Sequence, residues 1–144
     1  MSLHRRPVGR ARLLAAAGSI VMLIGCVPPW WTAGSTESGI PPISGYAFDG
    51  PGIAVFLVAL ATLALITLPY AGDRPVGLDR WWAYAGLAIV GWSGLLIATL
   101  GIVIEPGGME TILPDRAPGL WIAVAGLIIL SRAAFNILHE PGER

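Results

Sequence analysis

The sequence has no lysine, a single cysteine and few charged residues of either sign. Charged residues make up 12% of its 144 residues, whereas an ordinary soluble domain carries about 25%. This shortage excludes a domain that water covers on all sides, and it suits a surface that faces lipid. The net charge is zero, so no bulk field attracts nucleic acid, and we expect no nucleic-acid partner.

The missing lysine and the single cysteine bear on origin and redox chemistry. The absence of lysine beside abundant arginine, alanine, glycine and proline indicates the codon bias of a GC-rich bacterial genome. Cys26 cannot form an internal disulfide, and a CxxC redox pair is absent.

The sequence also lacks the residues on which membrane enzymes and transporters depend. A charge at the centre of a bilayer costs at least ~2.5–3.5 kcal/mol and therefore marks a transport route, but no charge lies near the centre of an apolar segment. His4 and His139 lie in the tails, which argues against haem ligation, and the clustered ligands of a zinc site are absent. Ser19 and Ser93 have no basic partner for nucleophilic catalysis. We expect no enzyme activity, no cofactor and no metal.

Four long apolar segments are what the chain does have. They predict an all-α membrane protein, a single four-transmembrane-helix bundle over residues 1–144, with helices at about 11–28, 51–70, 81–104 and 118–138. A membrane helix needs about 20 apolar residues, which the second and third segments supply without any charge. The first and fourth reach that length if Arg12 and Arg132 extend to the headgroups.

The arginines predict how the helices are oriented. Eight of the nine lie in the two tails, at the span ends beside them, or in the loop between the second and third helices; Arg116 is the exception. By the positive-inside rule, both termini are cytoplasmic, in a multi-pass protein of the bacterial inner (plasma) membrane. Five of six tryptophans fall at predicted helix ends, where an aromatic belt is expected. The basic residues Arg12, Arg80 and Arg132 are candidates for binding lipid headgroups, with an Arg132–Asp79 ion pair as an alternative.

Small residues form stripes on three predicted helices, the first, the third and the fourth. The stripes pack the bundle internally or dock a partner subunit, because small side chains let membrane helices approach closely. The two halves also echo each other at Gly50-Pro51-Gly52-Ile53 and Ala117-Pro118-Gly119-Leu120, which is compatible with a two-fold repeat of helix hairpins. The stripe residues are Ala11, Ala15, Gly18 and Gly25 in the first helix, Ala88, Gly91, Gly94, Ala98 and Gly101 in the third, and Gly119, Ala123 and Gly126 in the fourth.

The two predicted outer loops, 29–50 and 105–117, differ in length. The first is longer than most connections, and its aromatic residues predict a partly ordered segment lying over the bundle mouth, with a short hairpin as one form. Loops on rigid scaffolds often carry function, so Trp30, Trp31, Tyr46 and Phe48 are candidate recognition residues. A solvated connector is the alternative.

Acidic residues of the predicted outer side leave one further site open. They could hold a divalent cation, or a substrate, only if the two loops converge, and their spacing does not match an EF-hand. These residues are Glu37, Asp49, Glu105, Glu110 and Asp115.

Several short motifs carry a resemblance. Pro29-Trp30 at the end of the first helix, then Ser44-Gly45-Tyr46, then Asp49-Gly50 before the second helix resemble small uncharacterised bacterial four-span membrane proteins. The resemblance covers about residues 10–70. It implies an overall plan and no activity, cofactor or site residue.

These observations predict a non-enzymatic protein that acts by association with membrane lipids and a membrane-protein partner. It would be an accessory or scaffolding subunit of a membrane complex, or a homo-oligomer. A transporter or lipid-handling protein working as an oligomer is one alternative. A second follows from Leu23-Ile24-Gly25-Cys26, which resembles a lipobox: Cys26 would be acylated and residues 1–25 removed.

Overall fold

The computed structural model describes residues 8–71, 79–105 and 108–140. These contain four α-helices: α1 (Arg10–Gly25), α2 (Ile53–Ala71), α3 (Trp81–Ile104) and α4 (Pro118–Leu138). Helices α2, α3 and α4 are long and apolar enough to cross a membrane, which indicates a membrane protein. Proline occupies the first turn of α4, where its missing N–H costs no hydrogen bond.

Helix α1 is shorter than the predicted segment. It has 16 residues and ends at Gly25, three residues before the predicted end at 28. The cause is local, because Pro28 and Pro29 follow and neither proline nor the residue before it favours helical backbone. At about 1.5 Å per residue, α1 reaches about 24 Å.

The helices pack in chain order as a closed four-helix bundle. Neighbouring contacts join α1 with α2, α2 with α3, α3 with α4, and α4 with α1. One end of the bundle carries the loop that follows α1, and we call it the hairpin end. The other end carries the start of α1, the start of α3 and the end of α4, and we call it the Arg12 end.

The pairs are unequal. The contact between α1 and α4 is the most extensive, whereas a groove separates part of α2 from α3. A two-fold repeat of hairpins would make the α1–α4 and α2–α3 contacts equivalent. Among the described residues these two contacts differ in extent, so they do not show such a repeat. The Trp92 indole in α3 donates to Ser131 Oγ in α4 over 3.0 Å, adding a polar contact between those helices.

The segment between α1 and α2 forms an antiparallel β-hairpin. Strand β1 (Trp31–Ser35) pairs with β2 (Ile40–Gly45) in a register that places Trp31 opposite Gly45. A capped 3₁₀ turn joins the strands and ends at Gly39, whose φ of 72° is in the left-handed region that favours glycine. The all-α prediction therefore needs this correction, and the short hairpin considered for the loop is present.

The interior of the bundle is largely apolar. Among the described residues, the buried polar side chains are Ser19, Thr62 and Thr111. Each hydroxyl donates to a carbonyl three or four residues earlier, at 2.8–2.9 Å. Because these groups are satisfied locally, they line no polar route between helices.

Candidate functional site

The hairpin is fastened to the bundle by Trp30. The Trp30 side chain is 1% exposed; its indole donates to the Gly25 carbonyl over 2.9 Å, and its backbone N–H donates to Gly45 over 2.8 Å. The start of α2 closes around the ring, since a Cβ added at Gly52 would lie 2.8 Å from it. A side chain this deeply buried offers no surface to a partner. Trp30 is therefore a residue of the protein interior, and we remove it from the candidate recognition residues.

Trp31 is also largely occupied within the hairpin. It is half-buried, and its indole lies over Gly45 in the paired strand, where a side chain at Gly45 would collide with it. The remaining two predicted residues are exposed, Tyr46 at 47% and Phe48 at 51%.

Strand β2 adds aliphatic side chains to the same loop. Ile40 is 58% exposed and Ile43 is 61% exposed. Together with Tyr46 and Phe48 they form what we call the hairpin face. Sequence reasoning missed both isoleucines, although Ile40-Pro41-Pro42-Ile43 is the signal that marks them.

The backbone of β2 shapes what this surface can do. Pro41 and Pro42 lie where the register shifts, between the Ala33–Ile43 and Ser35–Ile40 pairs, and neither has a backbone N–H to offer a further strand. Proline on an edge opposes pairing with a further strand. The hairpin face is thus suited to docking through side chains. Its base is held by the Asp49 carboxylate, which accepts the Tyr46 backbone N–H at 2.6 Å, and by an edge-on contact of Phe48 with Phe56.

The small-residue stripe of α3 mostly faces the bundle. Ala88, Gly91, Gly94 and Ala98 are buried. A Cβ at Gly91 would collide with the Leu127 side chain of α4, and one at Gly94 with Ala54 of α2. Gly101 is exposed, with open space beside it.

The stripe of α4 is covered by α1. Gly119 and Ala123 are buried, and a Cβ added at Gly25 would lie 2.6 Å from the Ala123 nitrogen. The chain itself thus covers the stripe residues other than Gly101, so they leave little free surface for a partner.

The Arg12 end is held by a network of ion pairs. Arg12 Nε donates to Asp79 Oδ2 over 2.7 Å, and its Nη1 donates to Glu140 Oε2 over 3.1 Å. The hydroxyl of the buried Tyr84 donates to Asp79 Oδ1 over 2.7 Å. This network ties α1 to the start of α3 and the end of α4. In the sequence, the network is indicated by charged residues of opposite sign beside three predicted helix ends, namely Arg12, Asp79 and Glu140.

The structure separates the three arginines proposed for headgroups. Arg12 is held by the network, and Asp79 is engaged by Arg12 and Tyr84, so the Arg132–Asp79 pair is not formed. Arg132 is exposed, with its guanidinium 5.7 Å from the centre of the Phe135 ring. Arg80 is exposed immediately before α3.

The candidates for metal and lipid chemistry are not brought together. Within residues 8–71, 79–105 and 108–140, no three His, Cys, Asp or Glu side chains group as a metal site would require. Cys26 is 1% exposed at the end of α1, inside the packed hairpin end.

Comparisons of the chain with protein-family models, with curated proteins and with solved structures find no match.

Proposed function

We propose that this chain is a four-span protein of the bacterial inner membrane that acts by association. It would serve as an accessory or scaffolding subunit of a membrane complex, or assemble with copies of itself. The hairpin face would be the docking surface, lying outside the cytoplasm with both termini inside. The observation that carries the proposal is a loop that is anchored by the buried Trp30 and exposes four large apolar side chains, Ile40, Ile43, Tyr46 and Phe48.

The fourth span and the orientation rest on packing and charge. Helix α1 packs along α4, which is itself long enough to span. Eight of nine arginines belong to the Arg12 end and the chain segments attached to it, which favours that end for the cytoplasm.

Orientation can be tested with single cysteines in a Cys26→Ala background. Ser38→Cys at the hairpin tip is expected to react with a membrane-impermeant maleimide in intact spheroplasts, because this position is exposed. His139→Cys, exposed at the opposite end, is expected to react only after permeabilisation. The reverse pattern would contradict the orientation, and labelling of both cysteines in intact spheroplasts would contradict the membrane crossing of the chain between them.

Two alternatives gain less support. A transporter needs polar groups facing a route, whereas the three buried polar side chains bond to their own backbone segments. Acylation of Cys26 with loss of residues 1–25 would remove α1, the principal partner of α4, and the carbonyl that holds Trp30. Both features favour an intact chain acting by association.

The docking role is tested by making the hairpin face polar. In mild detergent, native mass spectrometry of the wild type is expected to show either a homo-oligomer or a complex of fixed composition. The double variant Ile40→Ser/Ile43→Ser should weaken that assembly by at least about tenfold in dissociation constant, because 1.4 kcal/mol already gives tenfold and burying one aliphatic side chain contributes about 1.5–3 kcal/mol.

Val27→Ser supplies the matched control. Val27 is 73% exposed and lies at the same end of the bundle, outside the hairpin. The Val27→Ser variant should therefore assemble as the wild type does. A wild type that is monomeric under every mild condition, or a double variant that assembles as the wild type does, would overturn the docking role.

A further inference from the structure

An apolar groove opens between α2 and α3 near the Arg12 end. Its volume is about 320 Å³, within the range of small-molecule sites. The lining is formed by Ala61, Leu65, Trp82, Ala83, Gly86 and Leu87. None of these side chains is charged, so the groove would accept a hydrocarbon and reject a polar ligand.

Local sequence explains why the two helices leave this space. Gly86 and the alanines give the walls little bulk, and a Cβ added at Gly86 would meet nothing within 4 Å. Pro69 lies inside α2 and has no N–H to donate to the carbonyl of Leu65, one of the lining residues. A proline at such a position kinks a helix.

A basic residue directly precedes the α3 wall of the groove. Arg80 precedes α3, and its carbonyl accepts the N–H of Ala83, one turn further along the groove wall, over 3.0 Å. Arg80 is exposed. Both oxygens of the neighbouring Asp79 carboxylate already accept a hydrogen bond, one from Arg12 and one from Tyr84.

The chemistry of the groove and of its neighbours decides between the apolar occupants. The lining side chains are apolar, which suits a hydrocarbon chain. Arg80 lies two residues before Trp82 and adds a positive charge that suits a headgroup phosphate. Trp82, 48% exposed on the wall, is of the type that lies at the level of lipid headgroups.

We propose that this groove holds an anionic membrane phospholipid, with one acyl chain between α2 and α3 and the headgroup phosphate at Arg80. The inference rests on the proposed membrane crossing and is independent of the hairpin face. Compared with the three-arginine headgroup site predicted from the sequence, it keeps Arg80 and adds the acyl chain that fixes the lipid in place.

The test is native mass spectrometry of delipidated monomer incubated with phosphatidylglycerol, or with phosphatidylcholine of the same acyl chains. The wild type is expected to retain phosphatidylglycerol. Gly86→Leu fills the groove and should reduce this retention at least about tenfold, since each buried CH₂ contributes about 0.8 kcal/mol. Arg80→Gln should reduce it about fivefold, as one basic residue at an anionic surface contributes about 1 kcal/mol.

Two matched controls separate the groove from general effects. Gly101→Leu places the same side chain in open space on the same helix, and Arg116→Gln removes a charge at the hairpin end; both should retain lipid as the wild type does. Equal retention by Gly86→Leu and Gly101→Leu would overturn the groove as the site. Equal retention of the two lipids, with no effect of Arg80→Gln, would overturn the headgroup assignment. Because lipid retention is measured on the monomer, its outcome does not depend on the proposed docking role of the hairpin face, which has its own test.

Discussion

Replacing Trp30 with alanine is expected to lower the free energy of unfolding by about 3–5 kcal/mol, the range for removing a large buried aromatic side chain. The indole is 1% exposed, and Gly52 lies close against it. Its hydrogen bond to the Gly25 carbonyl is lost as well, which leaves that acceptor without its partner. The hairpin would be released from the bundle.

Detergent-solubilised protein allows both a global and a local measurement of this effect. Unfolding in increasing dodecyl sulfate, followed by circular dichroism, reports the loss of stability. The rate of maleimide labelling at Cys26, buried in the wild type, reports opening of the hairpin end and should rise in Trp30→Ala.

Trp121→Ala is the matched control for the tryptophan prediction. Trp121 also donates one hydrogen bond to a carbonyl, that of Ile112, over 2.8 Å, but it is 46% exposed. Its removal should cost about 1 kcal/mol, close to one hydrogen bond, and should leave Cys26 protected. Equal losses for Trp30→Ala and Trp121→Ala would show that burial of Trp30 does not anchor the hairpin.

The helices were predictable because hydropathy and proline position are local signals. Helix α3 lies over Trp81–Ile104 and α4 over Pro118–Leu138, the ranges that the apolar runs and Pro118 indicate. The early end of α1 could also be predicted, because Pro28 and Pro29 stop a helix. The apolar content of the segment, taken alone, predicts a longer helix.

Side-chain partners across the bundle could not be predicted in the same way. Trp30 and Trp31 are adjacent and chemically identical, and only the return of the chain through Gly45 and Gly52 decides which one is enclosed. Arg12 was expected at headgroups, yet Asp79 and Glu140, 67 and 128 residues away, engage it. Such pairings depend on helix order and rotation, which a single sequence does not specify.

Gly126→Leu is expected to destabilise the chain by about 3 kcal/mol, at the upper end of the range for overpacking. A Cβ at Gly126 would lie 2.6 Å from Met22 Cγ, 2.7 Å from the Met22 nitrogen and 2.8 Å from the Gly18 carbonyl oxygen. Two of these three atoms are backbone. Since a flexible side chain cannot relieve that overlap, α1 and α4 must move apart and lose the most extensive helix contact in the bundle.

Gly101→Leu serves again as the control, because it adds the same atoms at an open position of α3. Both variants gain helix propensity when glycine is replaced. Apart from that shared gain, Gly101→Leu should change the free energy of unfolding by no more than about 0.5 kcal/mol. Dodecyl sulfate titration measures both variants. Adding Met22→Ala to Gly126→Leu distinguishes the origin of the overlap: no rescue is expected if backbone contact dominates. Full recovery in that double variant would mean that the overlap comes from the Met22 side chain and not from close backbone approach at Gly18 and Gly126.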